Sequence, residues 1–300
     1  MHAAALADSC TRLPSPKGVL STALCDYLVS QNDVDAIQLT RVTASNRADF
    51  HLALWVLYQL HGTGFVGISA RHEWNPNLID LRGRMEDTFE HELRSRFTNV
   101  KLTEPFGNGL FAYISTFESP SVAQFAKTKA TVDQMTELLM YRSIYHLHES
   151  DHSSWLIPRL PASAKAALAE LQFGEFGQGS LERLHAEMFR RGMRDSGLDP
   201  RTGAYVSLAP VEVLEFNNIV SMFGLHGRFL GAALGHLAAF EATSSDPSRK
   251  MAQGLSRLDF PDSIIRYYQE HIEADAVHEQ LVIRLMCEPL AVSHPELIPE

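Results

Sequence analysis

An all-α fold is what this sequence predicts, and three observations carry the expectation. Strand-like alternation of apolar and polar residues is scarce along the 300 residues. Several long segments instead repeat apolar residues at helical spacing. Their ends carry helix punctuation, with Ser or Pro at the starts and Gly then Pro at the stops. A composition of 45% hydrophobic and 21% charged residues is that of a chain able to bury a substantial core.

Taken in order, residues 1–18 read as a flexible tail, 19–118 as an N-terminal helical extension and 119–300 as a helical core, in one compact unit. The runs VDAIQL and GLFAYIS are short and apolar and fit either strand or helix. Residues 48–62, ADFHLALWVLYQLHG, are apolar enough for a buried helix. The next helix opens at Pro76 and carries acids and bases on an exposed face. A Gly- and Pro-containing loop, KLTEPFGNG, comes after it. Ser119 as N-cap and Pro120 as first helical residue then predict a long helix reaching into YHLHES. A second long helix is expected from about Ser163 to Gly197, although FGEFGQGS in its middle carries three glycines that can break it. Two helices cover about 209–225 and 226–243, and a last strong one starts at Pro261.

Charge and cysteine content narrow the function. A net charge of −10 speaks against nucleic acid as a partner, which calls for basic stripes. No apolar run approaches the roughly 20 residues that span a bilayer. The cysteines Cys10, Cys25 and Cys287 show neither C-x-x-C spacing nor an even framework, which fits a reducing cytoplasm.

The fourteen histidines matter through their positions. In HIEADAVH, His271, Asp275 and His278 stand at i, i+4 and i+7 and fall within roughly 60° on a helix surface. Two imidazoles and a carboxylate on one stripe suit iron or manganese; a solvated polar face, with Glu273 and Glu279 beside it, is the competing reading. Glu182 and His185 form E-x-x-H, which on a helix places both on adjacent turns, as in carboxylate-bridged di-iron bundles. Glu175, seven residues earlier, shares that face if the helix is continuous. Glu241 ends the apolar run FLGAALGHLAAF and must be paired, capped or ligated if buried. His236, five residues before it, points elsewhere. So many acids exceed what one four-coordinate zinc needs and favour two metal ions, whose charge they offset and which they can bridge.

The run from RSIYHLHESDHSSWLIPRL through GEFGQGSLERLHAEMF and GHLAAFEATSS to EHIEADAVHEQ resembles the heme-oxygenase-like di-iron oxidases, or iron-containing redox enzymes. The likeness covers about residues 140–285. It implies a heme-oxygenase-like helical bundle binding two ferrous ions, with dioxygen as co-substrate. Carried over by position, it makes His185, His271 and His278 the imidazole ligands. Asp275, Glu241 and either Glu175 or Glu182 become the carboxylates, and Glu149 an outer acid that orients a ligand or occasionally serves as one. Phe176 stands where the family's pattern has tyrosine, which leaves the metal site intact and the substrate side open.

The resemblance further implies a di-iron oxygenase or oxidase of specialised, natural-product metabolism, and the cysteine pattern places it in the cytoplasm. Its substrate is a small molecule, with N-oxygenation of an amino acid or amine leading, and an external electron donor and a homodimer are left open. Oxidative C–C cleavage or desaturation of an aliphatic or amino acid is the enzymatic alternative. An iron-binding helical protein without catalysis is another. A thiaminase-like hydrolase would need a nucleophilic cysteine in the bundle, and Cys287, nine residues past His278, falls about 180° away around that helix. Heme would need one proximal histidine and an apolar slot, which the surrounding acids disfavour.

Overall fold

The computed structural model describes residues 11–30, 39, 41–97, 100–117 and 120–300, apart from the side chains at 273–276. Among these residues the regular structure is helical throughout, with one isolated β-bridge between Thr11 and Phe65. The all-α expectation holds. Among the described residues no helix is long and apolar enough to cross a membrane. The chain divides into two units, the first formed by residues 1–98 with 201–222, the second by 99–200 with 223–300.

In the first unit α1 (Val19–Ser30), α2 (Arg47–Gln59) and α3 (Pro76–Arg96) pack with the returning segment. Asp49 ties the first two together. Its carboxylate accepts the N–H groups of Leu20 and Ser21 at 3.0 and 2.7 Å, capping α1 from inside α2. Burial pushes the Asp49 carboxyl up, but its hydrogen bonds from Ser21, Ser45 and Leu20 outweigh this and hold it below the ordinary range. Asn218 donates to the His51 carbonyl at 2.9 Å, and Glu215 pairs with Arg47 and Arg96, so the returning segment is anchored on both α2 and α3.

The second unit holds α4 (Phe106–Ser115), α5 (Val122–Thr128), α6 (Val132–His146), α7 (Ala162–Glu175) and α8 (His185–Asp195). The end of α9 (Val211–Leu225) leads into α10 (Leu230–Ala242), α11 (Ser245–Arg257) and α12 (Asp262–Gln280). A π-helical stretch, Leu281–Cys287, and α13 (Glu288–Ser293) complete it. One apolar core joins α7, α10 and the π-helical stretch through Leu168, Leu171, Leu234, Ala238, Ile283 and Met286. Close helix approaches use small residues. A Cβ on Gly192 would lie 2.8 Å from the Ile264 backbone, and one on Gly254 would lie 2.6 Å from the Ala126 carbonyl.

Two expectations about elements change, one open reading is resolved, and one helix is new. GLFAYIS is helical, inside α4; VDAIQL lies outside the described residues. The long helix from Ser119 is two: Ser119 itself lies outside the described residues, Ser121 caps α5, and a Thr131/Gln134 capping box restarts the chain as α6. The helix expected over 163–197 is also two, because Gly177, Gln178 and Gly179 take left-handed φ of 64°, 55° and 81°. Helix α11 was not anticipated; its sequence, with three serines and three basic residues, hides a narrow apolar stripe of Met251, Ala252 and Leu255.

Candidate metal centre

Four helices of the second unit and the turn after α6 meet at one buried polar cluster. Glu149 sits in that turn, just before Ser150 at φ 64°. Glu175 is the last residue of α7, and His185 the first of α8. The glycine break between them does the positioning. A Cβ on Gly177 would lie 2.4 Å from the Leu184 nitrogen, so only glycine lets the chain fold back and set the end of one helix against the start of the next. Glu241 lies at the end of α10, and His271 and His278 project from α12 two turns apart.

Ligand atoms of Glu149, Glu175, His185 and His271 all lie within 4.8 Å of one another, and all four residues are buried. His185 Nδ1 is 3.1 Å from Glu175 Oε2, and His271 Nε2 is 3.5 Å from Glu149 Oε2. His271 Nδ1 donates to the Tyr267 carbonyl at 2.8 Å, which leaves Nε2 as the lone-pair nitrogen facing the cluster. The two imidazoles lie close, with ring centroids of His185 and His271 4.4 Å apart. A second group adjoins the first. His278 Nδ1 is 3.2 Å from Glu175 Oε1 and 3.4 Å from Glu241 Oε2.

Burying three carboxylates together is costly unless cations answer them. Burial pushes the Glu175 carboxyl up, yet His185 and His278 outweigh it and bring it down to about 2. Burial likewise opposes ionisation of Glu149, and the His146 and His271 imidazoles hold it well below the usual range. Glu241 goes the other way, raised by burial and by the neighbouring Glu175 charge. Burial alone would lower the His278 pKa, but the Glu175 and Glu241 carboxylates at ion-pair distance push it up to about 10. In the metal-free chain the His278 proton therefore offsets part of the acid charge. The same donors, imidazole nitrogens and carboxylate oxygens in a buried group, fit iron.

The structure brings together six of the residues singled out in the sequence: Glu149, Glu175, His185, Glu241, His271 and His278. Glu149, expected as an outer acid or an occasional ligand, stands in the group of four. Glu182 is a correction. It is exposed in a short 3-10 turn, Leu181–Arg183, and Leu184 is extended before α8 begins, so Glu182 and His185 share no helical face. The side chain of Asp275 lies outside those described. His236 stacks on Phe240, away from the acids, and Cys287 is buried with its Sγ 3.8 Å from the Leu234 carbonyl, as expected. Two residues escaped the sequence reading. His146 and Tyr267 contact Glu149, and their signal was only the spacing i−3 from Glu149 and i−4 from His271.

A helical bundle with histidines and carboxylates converging from facing helices fits the class of helical metal-binding proteins. A family model described as iron-containing redox enzyme matches residues 136–300, more than half of the chain, and the chain belongs to that family, whose fold is the helical heme-oxygenase-like one. No curated protein matches the chain. Family and site together make it an iron-dependent oxidoreductase with a buried candidate metal site of Glu149, Glu175, His185 and His271.

Proposed function

We propose that the chain holds two iron ions and uses dioxygen to oxidise a small organic substrate, with N-oxygenation of an amino acid or amine as the leading reaction. One observation carries this reading. Glu175 turns Oε2 toward His185 and Oε1 toward His278, as a carboxylate bridging two adjacent ions would. One ion would be held by Glu149, Glu175, His185 and His271. The other would be held by Glu175, Glu241 and His278, with Asp275 assigned from the H-x3-D-x2-H spacing. Ferrous iron supplies the electrons that activate dioxygen.

The chain's own residues do the rest. Glu175 and Glu149 are ionised in the folded chain, so they hold cations without first losing a proton. His278 and Glu241 share a proton-rich environment, and that proton must leave when metal enters. Burial of all six groups keeps bulk water from the centre. Inserting one oxygen atom into an N–H bond consumes one dioxygen, two electrons and two protons and releases one water. A turnover therefore requires an external electron donor.

The test is anaerobic ferrous loading, counting of bound iron, and dioxygen uptake with amines, amino acids and aliphatic acids added singly. Two ions per chain and amine-stimulated uptake, with a hydroxylated nitrogen in the product, are expected. Stimulation by aliphatic acids alone moves the reaction to C–C cleavage or desaturation. Iron binding without dioxygen uptake under any condition leaves a non-catalytic iron protein.

A further inference from the structure

Glu149 is held by two further buried side chains, Tyr267 and His146. The Tyr267 hydroxyl lies 2.8 and 2.7 Å from its two carboxylate oxygens, and His146 Nδ1 lies 2.9 Å from Oε1 and 2.7 Å from the Tyr267 oxygen. The phenol donates to the carboxylate, and a neutral His146 carrying its proton on Nδ1 donates to Oε1. Both rings are packed against aromatic neighbours. Phe189 lies 5.0 Å from the His146 ring and 4.9 Å from the Tyr267 ring, and Tyr268 packs against Tyr267 at 5.0 Å.

Such a network is an expensive way to fill a core, because a buried polar trio is commonly less stable than apolar side chains of the same volume. Its geometry gives it a use. Tyr267 touches the centre twice. Its hydroxyl holds Glu149, and its backbone carbonyl accepts from His271 Nδ1 at 2.8 Å. One residue thus orients two of the four grouped ligands, leaving Glu149 Oε2 and His271 Nε2 facing each other at 3.5 Å.

We propose that Tyr267, assisted by His146, is the positioning residue of the Glu149–His271 half of the centre, setting iron affinity there while leaving the His278–Glu241 half alone. This rests on the two-iron reading. Partners of this kind, which orient a ligand through a hydrogen bond, typically govern about 10–100-fold in metal affinity.

The experiment is anaerobic equilibrium dialysis with Fe(II) alone, on the full chain and on Tyr267→Phe. That variant deletes one hydroxyl and keeps the ring and the carbonyl that holds His271. The wild type is expected to bind two ions. Tyr267→Phe should keep one at wild-type affinity and bind the other about 10–100-fold more weakly. The melting temperature of the metal-free chain is read alongside, since a purely structural role lowers it without choosing between ions. His146→Gln, which keeps a donor near Oε1, should weaken the same ion less than His146→Leu does, and this pair decides the matter if Tyr267→Phe does not fold. Two ions at unchanged affinity in Tyr267→Phe, or equal weakening of both, overturns the proposal while the two-iron reading stands. A wild type that binds a single ion defeats the two-iron reading, and whether Tyr267→Phe weakens that ion then decides the role of the hydroxyl.

Discussion

Gly174→Ala separates metal binding from stability. Gly174 lies in the last turn of α7, directly before Glu175. An added Cβ would stand 3.0 Å from His278 Nε2 and 3.6 Å from Cε1. Ordinary carbon contacts lie at about 3.5–4.0 Å, so the imidazole has to yield by about half an ångström. Overpacking of this kind costs about 1–3 kcal/mol. Alanine in a helix interior is favoured over glycine by about 1 kcal/mol. The two effects offset each other in large part, and the metal-free melting temperature should move by only a few degrees. Metal coordination is less forgiving, since ligand distances hold to about 0.2 Å. The ion held by His278 should therefore weaken on the order of 10-fold or more, with the other untouched. Gly235 in α10 is the control: nothing lies within 4 Å of its added Cβ, so Gly235→Ala should only stabilise. Calorimetry of the metal-free variants and anaerobic Fe(II) dialysis read the two effects. Both ions at wild-type affinity in Gly174→Ala would refute the placement of His278 at the centre.

Glu175→Gln should lose both ions, because it removes the carboxylate that faces His185 and His278 at once, whereas Glu241→Gln should lose one; iron counting after desalting distinguishes them. Glu182→Ala should leave iron content and oxidase activity at wild-type level, since its side chain is exposed and outside the cluster; a loss of iron would contradict the placement. Stability should fall on the acid side of neutrality. Burial lowers the His152 and His236 pKa values to about 4, with the nearby His148 charge adding to the effect at His152. Because the unfolded value is near 6.5, their contribution is fully present above that pH and is lost as pH falls toward 4, by about 3 kcal/mol or less per histidine. Urea unfolding of the metal-free chain at pH 7 and pH 4.5 checks the sign, and His236→Phe should flatten the slope.

The sequence carried the clustered residues better than the local geometry that joins them. His271 and His278 were legible because both sit on one uninterrupted helix, where spacing alone fixes the face. Glu175 and His185 come together for the opposite reason. The sequence reading put them on one face only if the helix were continuous; they meet because three left-handed residues break it. The same break removes Glu182 from the site, since E-x-x-H spacing has meaning only within a helix. Tyr267 and His146 were invisible because a buried aromatic beside apolar neighbours reads as core, and only the fold shows its hydroxyl turned onto Glu149. The return of residues 201–222 to the first unit has no signal in the sequence at all; it rests on tertiary pairs such as Asn218 with His51.

The most direct test of two bridged irons is Mössbauer spectroscopy of the chain loaded anaerobically with 57Fe(II), before and after exposure to dioxygen. Two ferrous sites of equal area that oxidise together to a spin-coupled ferric pair, silent in parallel electron paramagnetic resonance, are the predicted result. A single ferrous site, or two that oxidise to uncoupled high-spin ferric ions, would contradict Glu175 as a carboxylate shared by both.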